Sequence, residues 1–184
     1  MKFREMHSLW VVLAASAFLM SCGEQKKEAT AVSEESQSVE PVASSHAKTT
    51  GIAFDREDLD VFFTQYLALQ ASFVASEAGR VQEIAREMEG IALQGSPEVS
   101  KSIAALAESD HLGQQRAIFF QLNKAMVPLL ESHLSSGEIY QQVCPMAFEN
   151  TGAFWFSNSE EILNPYFGDA MLHCGKVGKT FGAL

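Results

Sequence analysis

Cationic charge is scarce in this 184-residue chain: 13 Lys and Arg stand against 23 Asp and Glu, for a formal net charge of −10. Phosphate binding needs clustered cations, so this balance argues against nucleic acid and against a polybasic membrane anchor. Cysteine is nearly absent, at three residues. That is too few for a disulfide scaffold, and the odd number leaves one to explain. No Cys-x-x-Cys occurs, so the usual dithiol redox motif is missing. The longest apolar run, from Leu9 to Met20, is about 12 residues and too short to span a bilayer as a helix. No enzyme motif spans the chain, and binding rather than turnover is expected. What is present is 47% apolar residues, enough for the core of about one domain.

Residues 1–22 read as a leader. Lys2 and Arg4 form a basic n-region, the Leu9–Met20 run suits a signal h-region, and Leu19-Met20-Ser21-Cys22 follows. An apolar residue three before a cysteine, with a small residue just before it, resembles the bacterial lipobox. In such signals the thiol is lipidated and the cysteine becomes the new N-terminus. Cys22 would then be a lipid thioether, which explains the odd cysteine. Several acyl chains give stable anchoring. Gly23 stands where an inner-membrane retention signal often has Asp, which favours the outer membrane, with the domain in the periplasm.

From Gly23 to residue 52 there is no aromatic residue, and Ser, Glu, Ala, Thr, Val and Lys dominate. Such a segment buries too little apolar surface to fold and reads as a disordered tether. His46 within it is a solvated residue. Residues 1–22 carry a net +1, residues 23–52 a net −2 and residues 53–184 a net −9. The acidity therefore belongs to the domain expected over 53–184.

That domain opens with helical periodicity. Asp55 is placed to cap a helix whose stripe is Leu59, Phe62, Phe63, Tyr66, Leu67, Phe73 and Val74. Val81, Ile84, Met88 and Ile91 mark a second helix, stopping near Gly95. Ser96-Pro97-Glu98 restarts the chain as a cap, a proline at the first helical position and an acid in the first turn. Val99, Ile103, Leu106 and Ala107 follow. A fourth stripe runs from Gln114 to Leu134, with a kink expected at Pro128. Short connections between four amphipathic helices predict a mainly α fold, an antiparallel four-helix-type bundle followed by an irregular C-terminal segment. His111 falls in a connection, and His133 at a helix end or in the core, with a ligand role open.

Beyond residue 138 the helical period is lost. Ile139–Val143 reads as extended, and a short helix is expected over Glu160–Leu163. Cys144 and Met146 lie two apart, and Met171, His173 and Cys174 within three. Residues two apart on an extended segment, or three apart on a helical turn, face the same way. Thiolate and thioether are soft donors that select Cu(I), and Ag(I) fits the same set; Zn(II) prefers Cys and His without Met. The competing chemistry is a Cys144–Cys174 disulfide, as exported proteins often form. It would close a loop of about 30 residues, worth roughly 3.6 kcal/mol on chain entropy, with the methionines as core fillers. His173 beside Cys174 is too close in sequence to orient as a base for a cysteine nucleophile.

Tyr140-x-x-x-Cys144-Pro145-Met146-Ala147, Asn150-x-Gly152-Ala153-x-Trp155-x-Ser157, Ile162-x-Asn164-Pro165-Tyr166-Phe167-Gly168 and Met171-x-x-Cys174-Gly175 form one long string. The string resembles a bacterial domain-of-unknown-function family found in small exported proteins and at the end of heavy-metal efflux adaptors. The resemblance covers 138–177 closely and extends through the preceding helices. It implies a helical domain that handles copper or a related cation, with Cys144, Met146, Met171 and Cys174 at the matching positions and an efflux adaptor as partner. His173 lies outside the shared pattern. The coiled-coil hairpin and barrel strands of an adaptor are missing, which implies a stand-alone lipoprotein form. Labelled palmitate fed to cells expressing the chain is expected to enter it, and Cys22→Ser is expected to abolish labelling; label retained in that variant would remove the anchor.

Overall fold

The computed structural model describes residues 51–91, 93 and 95–182. The leader and residues 23–50 of the tether lie outside the described residues, and so does Cys22. Residues 51 and 52, read as the end of the tether, take part in the fold: Ser136 Oγ donates to the Gly51 carbonyl at 2.7 Å, and Ile52 packs on the core.

The four apolar stripes form helices. Glu57–Val74 (α1) buries Leu59, Phe62, Phe63, Tyr66, Leu69 and Phe73. Ala78–Glu89 (α2) buries Val81, Ile84, Ala85 and Met88, and ends at Gly90. Pro97–Glu108 (α3) starts with proline at its first position, where the missing N–H costs nothing. Leu112–His133 (α4) opens on His111, whose ring nitrogen accepts from the Gln114 N–H at 3.4 Å. His111 is thus a helix cap and not a plain loop residue. Asp55 does not cap α1. The residue before the helix is Arg56, and the Asp55 carboxylate instead meets the His133 ring nitrogen at 2.9 Å. That contact ties the two ends of the helical layer beside a two-stranded pairing of Ala53–Phe54 (β1) with Leu134–Ser136 (β2).

The mainly α expectation fails beyond residue 137. Glu138–Cys144 (β3), Ala153–Ser157 (β4) and Lys176–Gly182 (β5) form an antiparallel sheet in the order β4-β3-β5, so the fold is mixed α/β. Among the described residues of this part the one helical element is a 3₁₀ turn, Gly168–Met171, while Ala147–Asn150 is a turn with left-handed backbone at Phe148, Glu149 and Asn150. The expected helix over 160–163 is instead a pair of serine turns: Ser157 Oγ accepts from the Ser159 N–H and Ser159 Oγ from the Glu161 N–H, both at 3.1 Å. Serine side chains satisfy the backbone locally and so compete with helix formation.

The sheet lies between two layers. On one face, Phe156 meets Tyr66 of α1 at 6.1 Å between ring centroids, and Phe154 meets Phe120 of α4 at 5.6 Å. On the other face lie Gln142, Cys144 and Trp155, covered by the loop that runs from β4 to β5. A buried polar cluster joins the layers. The Tyr66 hydroxyl donates to Asn123 Oδ1 at 2.6 Å and accepts from the Phe156 N–H at 2.9 Å. Asn123 Nδ2 donates to the Phe154 carbonyl at 3.1 Å and to the Tyr166 hydroxyl at 3.0 Å. Tyr166 in turn donates to the Phe154 carbonyl at 2.6 Å.

Arg116 of α4 pins the covering loop. Its Nε donates to the Pro165 carbonyl at 2.9 Å, and its Nη2 to Ser76 Oγ at 3.0 Å beside the end of α1. Gly168 sits in the same corner with φ +58°, where a Cβ would stand 2.5 Å from Ser76 Oγ and 2.8 Å from the Val74 carbonyl. Left-handed backbone and lack of room both demand glycine there. Gly168→Ala is expected to cost about 2–4 kcal/mol, read as a lowered midpoint in thermal or urea unfolding. An unchanged midpoint would mean this corner yields.

Candidate metal centre

Cys144 closes β3 opposite Ala153 and is fully buried. Strand alternation sets its direction: it shares a face with Gln142, towards the covering loop and away from the helices. Gln142 holds the start of that loop. Its Nε2 donates at 2.8 Å to both the Ser159 and the Glu161 carbonyls. The end of the loop is held by Asn164, also fully buried, whose backbone N–H donates to the Leu172 carbonyl at 2.7 Å and whose Nδ2 donates to the Cys174 carbonyl at 2.7 Å. The Cys174 N–H donates to the Met171 carbonyl at 3.0 Å, and Gly175 then enters the sheet. A Cβ on Gly175 would stand 3.0 Å from the Val143 carbonyl and 3.1 Å from the Trp155 ring, so glycine lets the chain pass close over β3.

These constraints bring two of the candidate ligands together. Cys144 Sγ and Cys174 Sγ lie 3.1 Å apart as free thiols sharing a hydrogen bond. The separation falls between two chemical outcomes. A disulfide would close it to about 2.05 Å. An ion held tetrahedrally by thiolates at ~2.3 Å would widen it to roughly 3.8 Å. Each change is under about 1.1 Å, within reach of side-chain torsions on a fixed backbone. The hydrogen bond to Cys144, then burial, then the charge of Cys144 raise the Cys174 pKa above the usual thiol range. Burial also holds the neighbouring Tyr166 phenol well above its ordinary value, and a Cys144 thiolate would add to that.

The remaining candidates are less buried than Cys144. Met146, in the turn after β3, is 47% exposed. Met171 is half-buried in the turn that bonds back to Cys174. His173 is exposed, and its Nδ1 lies 2.9 Å from the Ile162 carbonyl. A carbonyl only accepts, so Nδ1 is the donor in this contact. Among the described residues no three His, Cys, Asp or Glu side chains converge as ligands, so His173 does not complete a cluster with the two thiols. His133, whose ligand role the sequence left open, is turned instead to Asp55.

Gln142 and Asn164 were not foreseen as parts of the site. Gln142 leaves one signal, its place two residues before Cys144 on an extended segment, and Asn164 leaves another, its place before proline in the long motif. Gln142 Oε1 and Trp155 Nε1, on directly opposed strand positions, are buried without hydrogen-bond partners.

The difference in burial predicts the order of thiol chemistry. With limiting iodoacetamide at neutral pH, Cys174 is expected to alkylate several-fold faster than Cys144, and both more slowly than a free thiol, as mapped by peptide mass spectrometry. Equal rates would mean that the covering loop does not shield Cys144. Comparison of the chain with known families, curated proteins and solved structures finds no match.

Proposed function

We propose that this chain is a lipid-anchored envelope protein that binds a soft monovalent cation, Cu(I) first, and hands it to a heavy-metal efflux system. The observation that carries the reading is the meeting of two free thiols, thirty residues apart in sequence, at 3.1 Å. Cys144 and Cys174 are the primary donors. Met171 and Met146 are the supplementary thioether donors, exchangeable ligands that suit release to a partner. His173 stands outside the sulfur pair, with Nδ1 engaged by the Ile162 carbonyl. The donors are soft, which fits Cu(I) or Ag(I) and not a hard cation. No catalytic role is assigned. The net −9 of residues 53–184 attracts cations over distance and disfavours nucleic acid.

The second reading is an interaction module whose Cys144–Cys174 pair closes as a structural disulfide. The same proximity favours it, because an oxidising envelope closes adjacent thiols. The two readings differ in thiol count, bound metal and response to pH.

Cu(I) binding replaces thiol protons, so affinity follows the proton balance. Binding that displaces two protons tightens about a hundredfold per pH unit while both thiols are protonated, and acid releases the ion. The raised Cys174 pKa extends this dependence upward in pH. Titration of the reduced protein with Cu(I) against a competing chelator is expected to show one ion per chain, tightening from pH 6 to pH 8. Cys144→Ser with Cys174→Ser is expected to lose at least a thousandfold in affinity. Parent-like binding by the double variant would remove the site. A disulfide and no metal in protein taken from the envelope would favour the second reading.

A further inference from the structure

We propose that Asn164 is the positioning residue of the thiol pair: it sets where Cys174 stands relative to Cys144, and so how readily the two sulfurs act together. The inference rests on the reading that the two cysteines work as one site. It does not depend on which ion they take.

Asn164 makes four hydrogen bonds from a fully buried position. Two are local to its own turn. Its Oδ1 accepts from the Tyr166 N–H at 2.8 Å, and its carbonyl accepts from the Gly168 N–H at 3.1 Å. An asparagine before a turn ordinarily makes such bonds, and by themselves they imply only a loop conformation. The other two reach about ten residues along the chain. The Asn164 N–H meets the Leu172 carbonyl at 2.7 Å, and Nδ2 meets the Cys174 carbonyl at 2.7 Å. These long-range bonds end on the backbone that carries the second sulfur.

Their effect follows from what else fixes Cys174. Its own N–H is taken by the Met171 carbonyl at 3.0 Å, so the backbone is held on both sides of its Cα. Gly175 next to it is fitted against Val143, Trp155 and Ile162. Cys144 is fixed independently by its ladder to β4. With both backbones set, side-chain rotation is the freedom left to the sulfurs. Without the Nδ2 donor, the Cys174 carbonyl loses its partner and the loop gains freedom, so the thiols meet less often. Their effective concentration, and with it the stability of any state that uses both sulfurs, then falls.

The test is the thiol–disulfide equilibrium of the pair in metal-free glutathione buffers, on the full-length chain carrying Cys22→Ser so that only two thiols report. Asn164→Ala is expected to lower the equilibrium constant for the Cys144–Cys174 bond at least tenfold. That is a potential about 30 mV less reducing. Asn123→Ala is the control. It breaks the Tyr66–Asn123–Tyr166 cluster without touching Cys174, so it is expected to lower the thermal midpoint while leaving the constant within twofold. Should Asn164→Ala fail to fold, Asn164→Ser, which leaves a smaller cavity, is measured in its place against the same threshold. A constant within twofold of the parent, or an equal shift in Asn123→Ala, overturns the assignment. A Cu(I) competition on the parent keeps the two ideas apart. A shifted equilibrium in a chain that does not bind Cu(I) supports the positioning role and removes the copper reading. Cu(I) binding with an unshifted equilibrium does the reverse.

Discussion

The amide of Asn123 is the point through which the three layers are joined. It accepts from Tyr66 of α1, donates to the Phe154 carbonyl of β4 and donates to the Tyr166 hydroxyl of the covering loop, while its own backbone belongs to α4. An amide has the right inventory for this, one acceptor and two donors, and all are used. Because the cluster is buried, leaving any member unpaired would cost more than the bond itself contributes. The sheet is thereby set against the helices, and the loop against the sheet. Within the loop so placed, Asn164 holds the backbone of Cys174 and the β3–β4 ladder holds Cys144.

Aromatic packing surrounds this polar centre. Tyr66 stacks on Phe119 at 5.6 Å, and Phe119 meets Phe73 at 4.5 Å and Tyr166 at 6.1 Å. Tyr166 also contacts Phe148 and Trp155. The motif read from the sequence as a possible ligand string is therefore mostly scaffold. Tyr166 and Trp155 pack, Pro165 offers its carbonyl to Arg116, and Gly168 and Gly175 make room for close backbone approach. Among the described residues no helix is long and apolar enough to cross a membrane.

The helices were legible because each buries one stripe at a period near 3.6, and Leu59, Phe62, Phe63, Tyr66 and Phe73 show it directly. The sheet was legible only in β3. In β4, Trp155, Phe156 and Ser157 are all buried, because helices cover one face and the loop the other, so alternation between apolar and polar residues is erased. In β5 the opposite holds: Phe181 is its one buried residue, and glycines interrupt it, so pairing with β3 and not side-chain pattern defines the strand. The cysteine pair was legible from composition and from the long motif. The roles of Gln142 and Asn164 were not, because their bonds end on backbone carbonyls, which carry no residue identity. The Asp55 cap failed for a related reason: a distant partner, His133, occupies the carboxylate.

The sheet order gives the thiol pair a further property. Cys144 belongs to the central strand, while Cys174 lies two residues before Lys176, the first residue of an edge strand that is nearly all exposed. One sulfur is thus carried by the last residue of the central strand, paired with Ala153, and the other by the chain just before an exposed edge strand. Peeling of β5 from β3 would draw Cys174 away from Cys144 at the hinge near Gly175. A bond or shared ion between the sulfurs would staple that edge down. The contact of the two sulfurs and the docking of β5 are in this sense linked, because both need the chain at Gly175 to lie close over β3.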